Sequence, residues 1–259
     1  MRKFTTIILL AIAFTNCKKE NQITPQPKDN SLKSITSVNY GYREYFDFTN
    51  GLLSDYAVNI YGTGEIVFEI DYDHRGRAVL VKKNGELYAF FFYHINSVSL
   101  YVDDGLVDSL HYILDTHGNI SSLERFDNFH GSMLRNAQKT YLYAGYNLIE
   151  IESTEYNPNG SKKLIYKESA IYDNGKNAFE PIHENVVLLE LLFSHIPSRI
   201  FTVNSKNNIT SIESNHPSDG YTMTQSINYN SLGKPSEIAF IKDQYGYIDQ
   251  DIELFSYQE

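Results

Sequence analysis

Tryptophan is absent from the 259 residues, and cysteine occurs once, at Cys17. A lone cysteine excludes an intrachain disulfide and any zinc site built on cysteine pairs. Without tryptophan the chain lacks the usual aromatic platform for sugars, although 21 tyrosines and 15 phenylalanines remain. No Gly-x-Ser-x-Gly elbow, glycine-rich phosphate loop or His-Glu-x-x-His pair occurs, so the common nucleophile, nucleotide and zinc-protease signatures are missing. Positive charge is also scarce: 22 Lys and Arg face 32 Asp and Glu. Such an acidic surface disfavours nucleic acid and anionic headgroups, whose phosphates need cations to displace their counterions.

The apolar run Ile7–Phe14 follows Arg2 and Lys3 and ends just before Cys17. It is too short to cross a hydrocarbon core of ~30 Å as a helix. A basic start, a short apolar stretch and a cysteine at its end make up a lipoprotein signal. Residues 1–16 are therefore expected to be removed, leaving Cys17 acylated at the new N-terminus. The remaining chain would carry 20 Lys and Arg against 32 Asp and Glu, a net charge of −12. Membrane attachment would then come from the lipid, since two acyl chains suffice for stable anchoring. Asn16 departs from the small residue usual before that cysteine, a looseness that resembles Bacteroidetes lipoproteins. Lys18 in place of Asp points, by resemblance to bacterial sorting rules, to the outer membrane, facing either periplasm or cell surface.

Residues 17–34 are polar and hold Pro25 and Pro27, the composition of a disordered tether. From 35 to 259 apolar content is steady, which reads as one domain. Its aromatic composition favours strands. A degenerate turn unit recurs in it, with an Asx residue followed three positions later by Gly or Asn. The pairs are Asp73 and Gly76, Asp115 and Gly118, Asn157 and Gly160, Asn204 and Asn207, and Asn230 and Gly233. The Asx side chain accepts from the backbone two residues on, and the later residue supplies positive φ. Each unit should close a β-hairpin. Lys83–Glu86 and Asp103–Gly105 read as further turns. Ala89–Tyr93, apolar at every position, reads as a central strand covered on both faces.

The expected fold is mainly β: an antiparallel meander forming a curved open sheet or half-barrel. One segment departs from the β pattern. His183–Phe193 is apolar, free of glycine and followed by Pro197, and predicts one short helix, at about 183–194, covering the open face.

Tyr172–Phe179, Ser205–Ile212 and Tyr229–Pro235 together resemble a Bacteroidetes lipoprotein domain family of unknown function. Its tyrosine-rich hairpins are similar to the YD repeats of large secreted proteins. Ala178 stands where that family has proline. The resemblance implies an outer-membrane lipoprotein built on a curved antiparallel sheet, with no activity or catalytic residue attached.

Candidate chemistry is thin. Asp71, Asp73 and Gly76 share the start of a calcium loop, but Arg75 sits where another acid is needed, and no metal is expected. The carboxylate pairs Asp103 and Asp104, and Glu150 and Glu152, lack any placement that would make them an acid–base couple. No catalytic residue and no cofactor are expected. Candidate ligand-binding residues are the clustered tyrosines Tyr40, Tyr42, Tyr45 and Tyr61, and Tyr141, Tyr143 and Tyr146, as amphipathic rings on a rigid sheet; ladder packing is the competing reading. The expectation is a non-catalytic envelope module for a glycan, peptide or partner protein, without nucleic acid. Alternatives are an assembly component pairing through its sheet edges and, more remotely, a polysaccharide hydrolase.

Overall fold

The computed structural model describes residues 31–60, 64–103, 107–129, 132–179, 185–193 and 197–258. Among these, sixteen strands follow one another around a closed antiparallel barrel. They run from β1 (Leu32–Ser37), β2 (Tyr42–Thr49), β3 (Leu52–Ile60) and β4 (Gly64–Tyr72) through β5 (Ala78–Lys83), β6 (Glu86–Tyr93), β7 (Ser97–Asp103) and β8 (Val107–Leu114). β9 (Ile120–Phe129), β10 (Ser132–Ala144), β11 (Asn147–Tyr156) and β12 (Lys162–Lys176) complete the longer half. After two helices, α1 (Val186–Phe193) and α2 (Pro197–Val203), come β13 (Asn207–Ser214), β14 (Tyr221–Tyr229), β15 (Pro235–Gln244) and β16 (Tyr247–Tyr257).

The expected meander is present, but it is neither an open sheet nor a half-barrel. β1 pairs with β16, Ile35 opposite Phe255 and Ser37 opposite Glu253, so the last strand has neighbours on both sides. Closure removes both edges, and edge-to-edge pairing with it. The barrel also starts earlier than the composition suggested: Leu32 is fully buried within β1, inside the stretch read as tether.

Four of the five Asx units form the turns expected of them. In the first, the Gly76 N–H donates to the Asp73 carbonyl at 3.0 Å, and Asp73 Oδ1 accepts from the backbone of Arg75 and Arg77 at 2.8 and 3.1 Å. The Asp115 and Asn230 units repeat these contacts; the Asn157 unit keeps the backbone bonds, but there Asn159 supplies the side-chain acceptor. Gly76, Gly118, Gly160 and Gly233 all take positive φ, between 73° and 84°. The fifth unit is different. The Asn204 N–H donates to the Ile200 carbonyl, ending α2, and Asn207 opens β13. Asn84 and Gly85, both at positive φ, close the β5–β6 hairpin. The turn expected at 103–105 runs into residues outside the described set.

Strand alternation divides the barrel into two surfaces. Phe46, Tyr56, Phe68, Ile70, Phe91, Leu100, Tyr112 and Ile151 point inward and are buried. Their outward neighbours include ion pairs: Lys82 lies 4.0 Å from Glu69 and from Asp71, Arg135 2.7 Å from Glu124, and Lys167 2.8 Å from Glu150. β6 departs from the sequence reading. Ala89 and Phe91 are buried, whereas Phe90 and Phe92 face outward and are exposed.

The helix was expected over an open face. Instead, α1 occupies the interior. Residues 187–193 are all buried, as fits a helix apolar on every side. The Phe193 ring lies 6.3 Å from Phe46 of β2 and 5.1 Å from Tyr56 of β3, while Glu190 bonds Tyr141 of β10. Those strands stand on opposite walls, so the helix bridges the lumen. Each fully buried Leu, Val or Phe contributes about 1.5–3 kcal/mol, giving the insert a strong reason to stay there. Pro197 was expected to stop a helix; it begins α2, where a missing N–H costs nothing.

Candidate functional site

Among the buried polar groups of the described residues, two clusters around charged side chains stand out, both held by the helical insert. The larger lies at the seam where β1 joins β16. Arg199 of α2 reaches across it, and its Nη2 donates to Glu44 Oε2 of β2 and to Glu253 Oε1 of β16, each at 2.9 Å. The guanidinium also lies 5.6 Å from the Phe179 ring centroid. The Tyr56 hydroxyl donates to Glu44 Oε1 at 2.7 Å, and the Tyr42 hydroxyl to Glu253 Oε1. Asp251, also buried, accepts from the Ser37 hydroxyl at 2.5 Å and from the Asn39 N–H at 2.8 Å, tying β16 to the end of β1.

Burial pushes the Glu253 carboxyl above its ordinary range, although Arg199 and Tyr42 pull it back. For Arg199, burial opposes the charge, but Glu253 and Glu44 outweigh it and keep the guanidinium protonated. Burial, with the neighbouring carboxylates, raises the Tyr42 and Tyr56 hydroxyls, so both remain donors. Two carboxylates thus share one cation, and neither is offered to solvent. Chemically this is a lock between insert and seam, not an acid–base couple.

The second cluster centres on Glu190, fully buried within Leu-Leu-Glu-Leu-Leu. It accepts from the Tyr141 hydroxyl at 2.7 Å and from Asn204 Nδ2 at 3.1 Å. Asn204 also donates to the Ile200 carbonyl, so it joins the end of α2 to α1. A third contact fixes the insert's ends. Asn177 Nδ2 donates to the carbonyls of Thr202 and Ser205 at 2.5 and 2.8 Å, holding entry against exit. The Tyr172–Phe179 and Ser205–Ile212 stretches therefore meet in space on either side of the insert.

The candidate tyrosines do not share a face. Tyr141 is buried on Glu190, and Tyr143 is half-buried against the core. Tyr42 points into the seam cluster. Tyr45 lies under the Arg43 guanidinium, at 5.0 Å. Tyr40 is exposed, bonded to Asp249 and stacked on Phe240; Tyr146 projects from the β10–β11 turn beneath Lys206. Tyr61, Cys17, His183 and Glu184 lie outside the described residues. Of the carboxylates considered for chemistry, Asp73 is held by Arg77 at 2.6 Å, and Glu150 and Glu152 share Lys167 on the outer wall.

Arg199, Glu44, Glu253 and Glu190 were not singled out by sequence reasoning. A signal was present: Glu190 interrupts an otherwise apolar helix, and Glu44 falls on the inward parity between Tyr42 and Phe46.

No family model matches the sequence, and no curated protein matches it. Among solved structures, a porin-like protein from Bacteroides uniformis ATCC 8492 aligns over 90 % of this chain and 99 % of its own, at 10 % identity and a TM-score of 0.60. The chain has the fold of that protein. A second porin-like protein, from Bacteroides vulgatus ATCC 8482, covers 89 % of this chain and 99 % of its own at 11 % identity, with a TM-score of 0.40. The first likeness concerns fold alone. Barrels that cross an outer membrane turn an apolar band outward and a polar lumen inward. Here the outer wall mixes ion pairs such as Arg135–Glu124 and Lys167–Glu150 with exposed apolar side chains such as Leu142, Ile171 and Ile241, and the lumen holds the buried apolar helix α1.

Proposed function

We propose that the chain is a lipid-tethered, non-catalytic barrel of the outer membrane that stands beside the bilayer and serves as a binding or interaction module. One observation carries this reading: the outer wall bears ion pairs, while the lumen is occupied by α1 and α2 packed against buried side chains of the wall. A lysine or arginine facing lipid at the midplane of a barrel costs about 2–4 kcal/mol. Lys82, Arg135 and Lys167 would each bear a part of that cost set by depth in a membrane-spanning orientation, and none in water.

A 16-stranded barrel of the porin class leaves an aqueous channel. Here Phe193 packs on Phe46 and Tyr56 of one wall, and Arg199 and Glu190 fix the insert to opposite walls. This supports a module working through its outer surface rather than a conduit. The fold neighbour from Bacteroides uniformis and the resemblance to Bacteroidetes lipoproteins both agree with an envelope location. Cys17 is then the attachment point, and the residues after it the spacer.

The test compares full-length chain with Cys17→Ser. Radiolabelled palmitate should enter the first and not the second. The Cys17→Ser protein should leave the membrane fraction and stay in solution without detergent. A Cys17→Ser chain that resists alkaline extraction and needs detergent would show that the barrel itself spans the bilayer.

A further inference from the structure

The outer wall carries both ion pairs and exposed apolar side chains, and on β6–β8 aromatic rings gather on adjacent strands. There Phe90 and Phe92 of β6, Ser99 and Tyr101 of β7, and His111 and Ile113 of β8 all face outward. Register places Phe90 opposite Tyr101, Phe92 opposite Ser99, and Ser99 opposite His111. Phe90, Phe92 and Tyr101 are 39 %, 50 % and 48 % exposed, and Phe92 meets Tyr101 edge-on at 5.6 Å. The Ser99 hydroxyl and His111 Nδ1 lie 3.0 Å apart and set a polar pair between the rings. Charge returns at the margins, where it is already paired: Lys82 with Glu69 and Asp71 on one side, Glu124 with Arg135 on the other. Asp103 closes one end of the strip.

We propose that this face of β6–β8 binds a neutral glycan, laid across Phe90, Phe92 and Tyr101 with its hydroxyls bonded to Ser99 and His111. Three aspects of the surface select that occupant. A polyanion would meet no lysine or arginine among the strip's described outward residues, and the chain carries a net charge of −10. An aromatic side chain presents about 150–250 Å², so the three rings at these exposures offer roughly 200–350 Å²; a stable protein interface needs about 800 Å² on each side. Rings interleaved with a hydroxyl and an imidazole match a ligand with both C–H faces and hydroxyl rims. Phenylalanine and tyrosine here occupy the role left open by the missing tryptophan.

This inference rests on the barrel standing in water, and the experiment separates the two. Full-length chain and its variants are run in native gels cast with an α-glucan, a β-glucan, a mannan, a xylan or anionic polygalacturonate, against a gel without polysaccharide. The tether reading is scored beforehand by the solubility of Cys17→Ser. At least one neutral gel should retard the protein, and polygalacturonate should not. Phe92→Ala and Tyr101→Ala, at half-exposed positions where folding is insensitive, should each weaken that retardation at least fivefold. Tyr247→Ala, at a tyrosine 76 % exposed on another strand, should leave it unchanged. Absence of retardation in all four neutral gels overturns the glycan site, even where Cys17→Ser proves soluble. Retardation unaffected by the two β6–β7 variants also overturns it. So does sedimentation as a dimer that Phe92→Ala converts to monomer, which would assign the strip to self-association.

Discussion

Replacing Arg199 with methionine tests the internal architecture most directly. The residue is 4 % exposed and supplies the only cation in contact with Glu44 and Glu253 among the described residues. Methionine keeps much of the volume but leaves two carboxylates facing each other in an apolar surround. Breaking a buried pair by removing one partner costs about 3–5 kcal/mol, because the remaining charge is uncompensated. For a domain of this size, each kcal/mol moves the melting temperature by roughly 2–4 °C, so Arg199→Met should melt roughly 6–20 °C lower.

The loss must also depend on pH. Burial already raises the Glu253 carboxyl, and Arg199 is what draws it back down, so removing the guanidinium raises it further. An acid whose folded pKa lies above its unfolded value contributes stability at low pH, and that contribution disappears as pH rises through the folded value. Arg199→Met should therefore be most damaging near pH 8 and recover part of the loss near pH 5. Combining it with Glu44→Gln and Glu253→Gln should restore more than half of the stability at pH 8. Urea titrations at both pH values read all of this from the midpoints, given unchanged slopes. A penalty under about 1 kcal/mol at pH 8, or one equal at both pH values, would refute the lock.

Other outcomes follow from single contacts. Tyr141→Phe removes the short bond to buried Glu190 and should cost about 1–3 kcal/mol in urea unfolding. At Asp115, burial pushes the carboxyl up, but donors from the Asn119 side chain and from the backbone of Asn119 and His117 prevail and hold it below its usual range. Its stabilisation is present above the unfolded pKa and vanishes as pH falls through the folded one. Asp115→Ala should thus cost about 1 kcal/mol at pH 7, and the difference should close towards pH 3. Gly118→Ala, at φ +84° with open space around the added methyl, should cost about 1–2 kcal/mol from backbone strain alone. Lys82→Leu, on the outer wall, should change stability by less than about 0.5 kcal/mol; a barrel crossing lipid would instead gain from it.

The parts legible in the sequence were those decided within a few residues. The Asp73, Asp115, Asn157 and Asn230 turns need only an acceptor and a glycine three positions apart, and the chain places them where hairpins occur. Apolar and polar residues alternate over Ile66–Asp71, and the structure buries Phe68 and Ile70 while Glu69 and Asp71 lie on the other face. The same rule failed for Ala89–Tyr93. An apolar or aromatic residue at every position looks two-faced, yet Phe90 and Phe92 stay exposed: composition alone does not separate an interior strand from one bearing a surface patch. Asn204 misled for a related reason: Asn ends helices as readily as it starts turns, and only the i−4 bond to Ile200 distinguishes them.

Closure was out of reach because its information is spread over the whole length of the chain. Ser37 meets Asp251 and Tyr42 meets Glu253, pairs separated by more than 200 residues, and no local pattern marks Leu32–Ser37 as the partner of Glu253–Tyr257. An open sheet and a closed barrel share every hairpin and differ at one junction. What decides between them is the set of polar side chains gathered there. Glu44, Asp251 and Glu253 are costly inside an apolar barrel and become tolerable only when β1 and β16 bring them to Ser37, Tyr42 and the guanidinium of Arg199. The inserted helices are thus more than filler. By carrying that cation to the seam, α2 makes closing the barrel the arrangement in which its buried acids are satisfied.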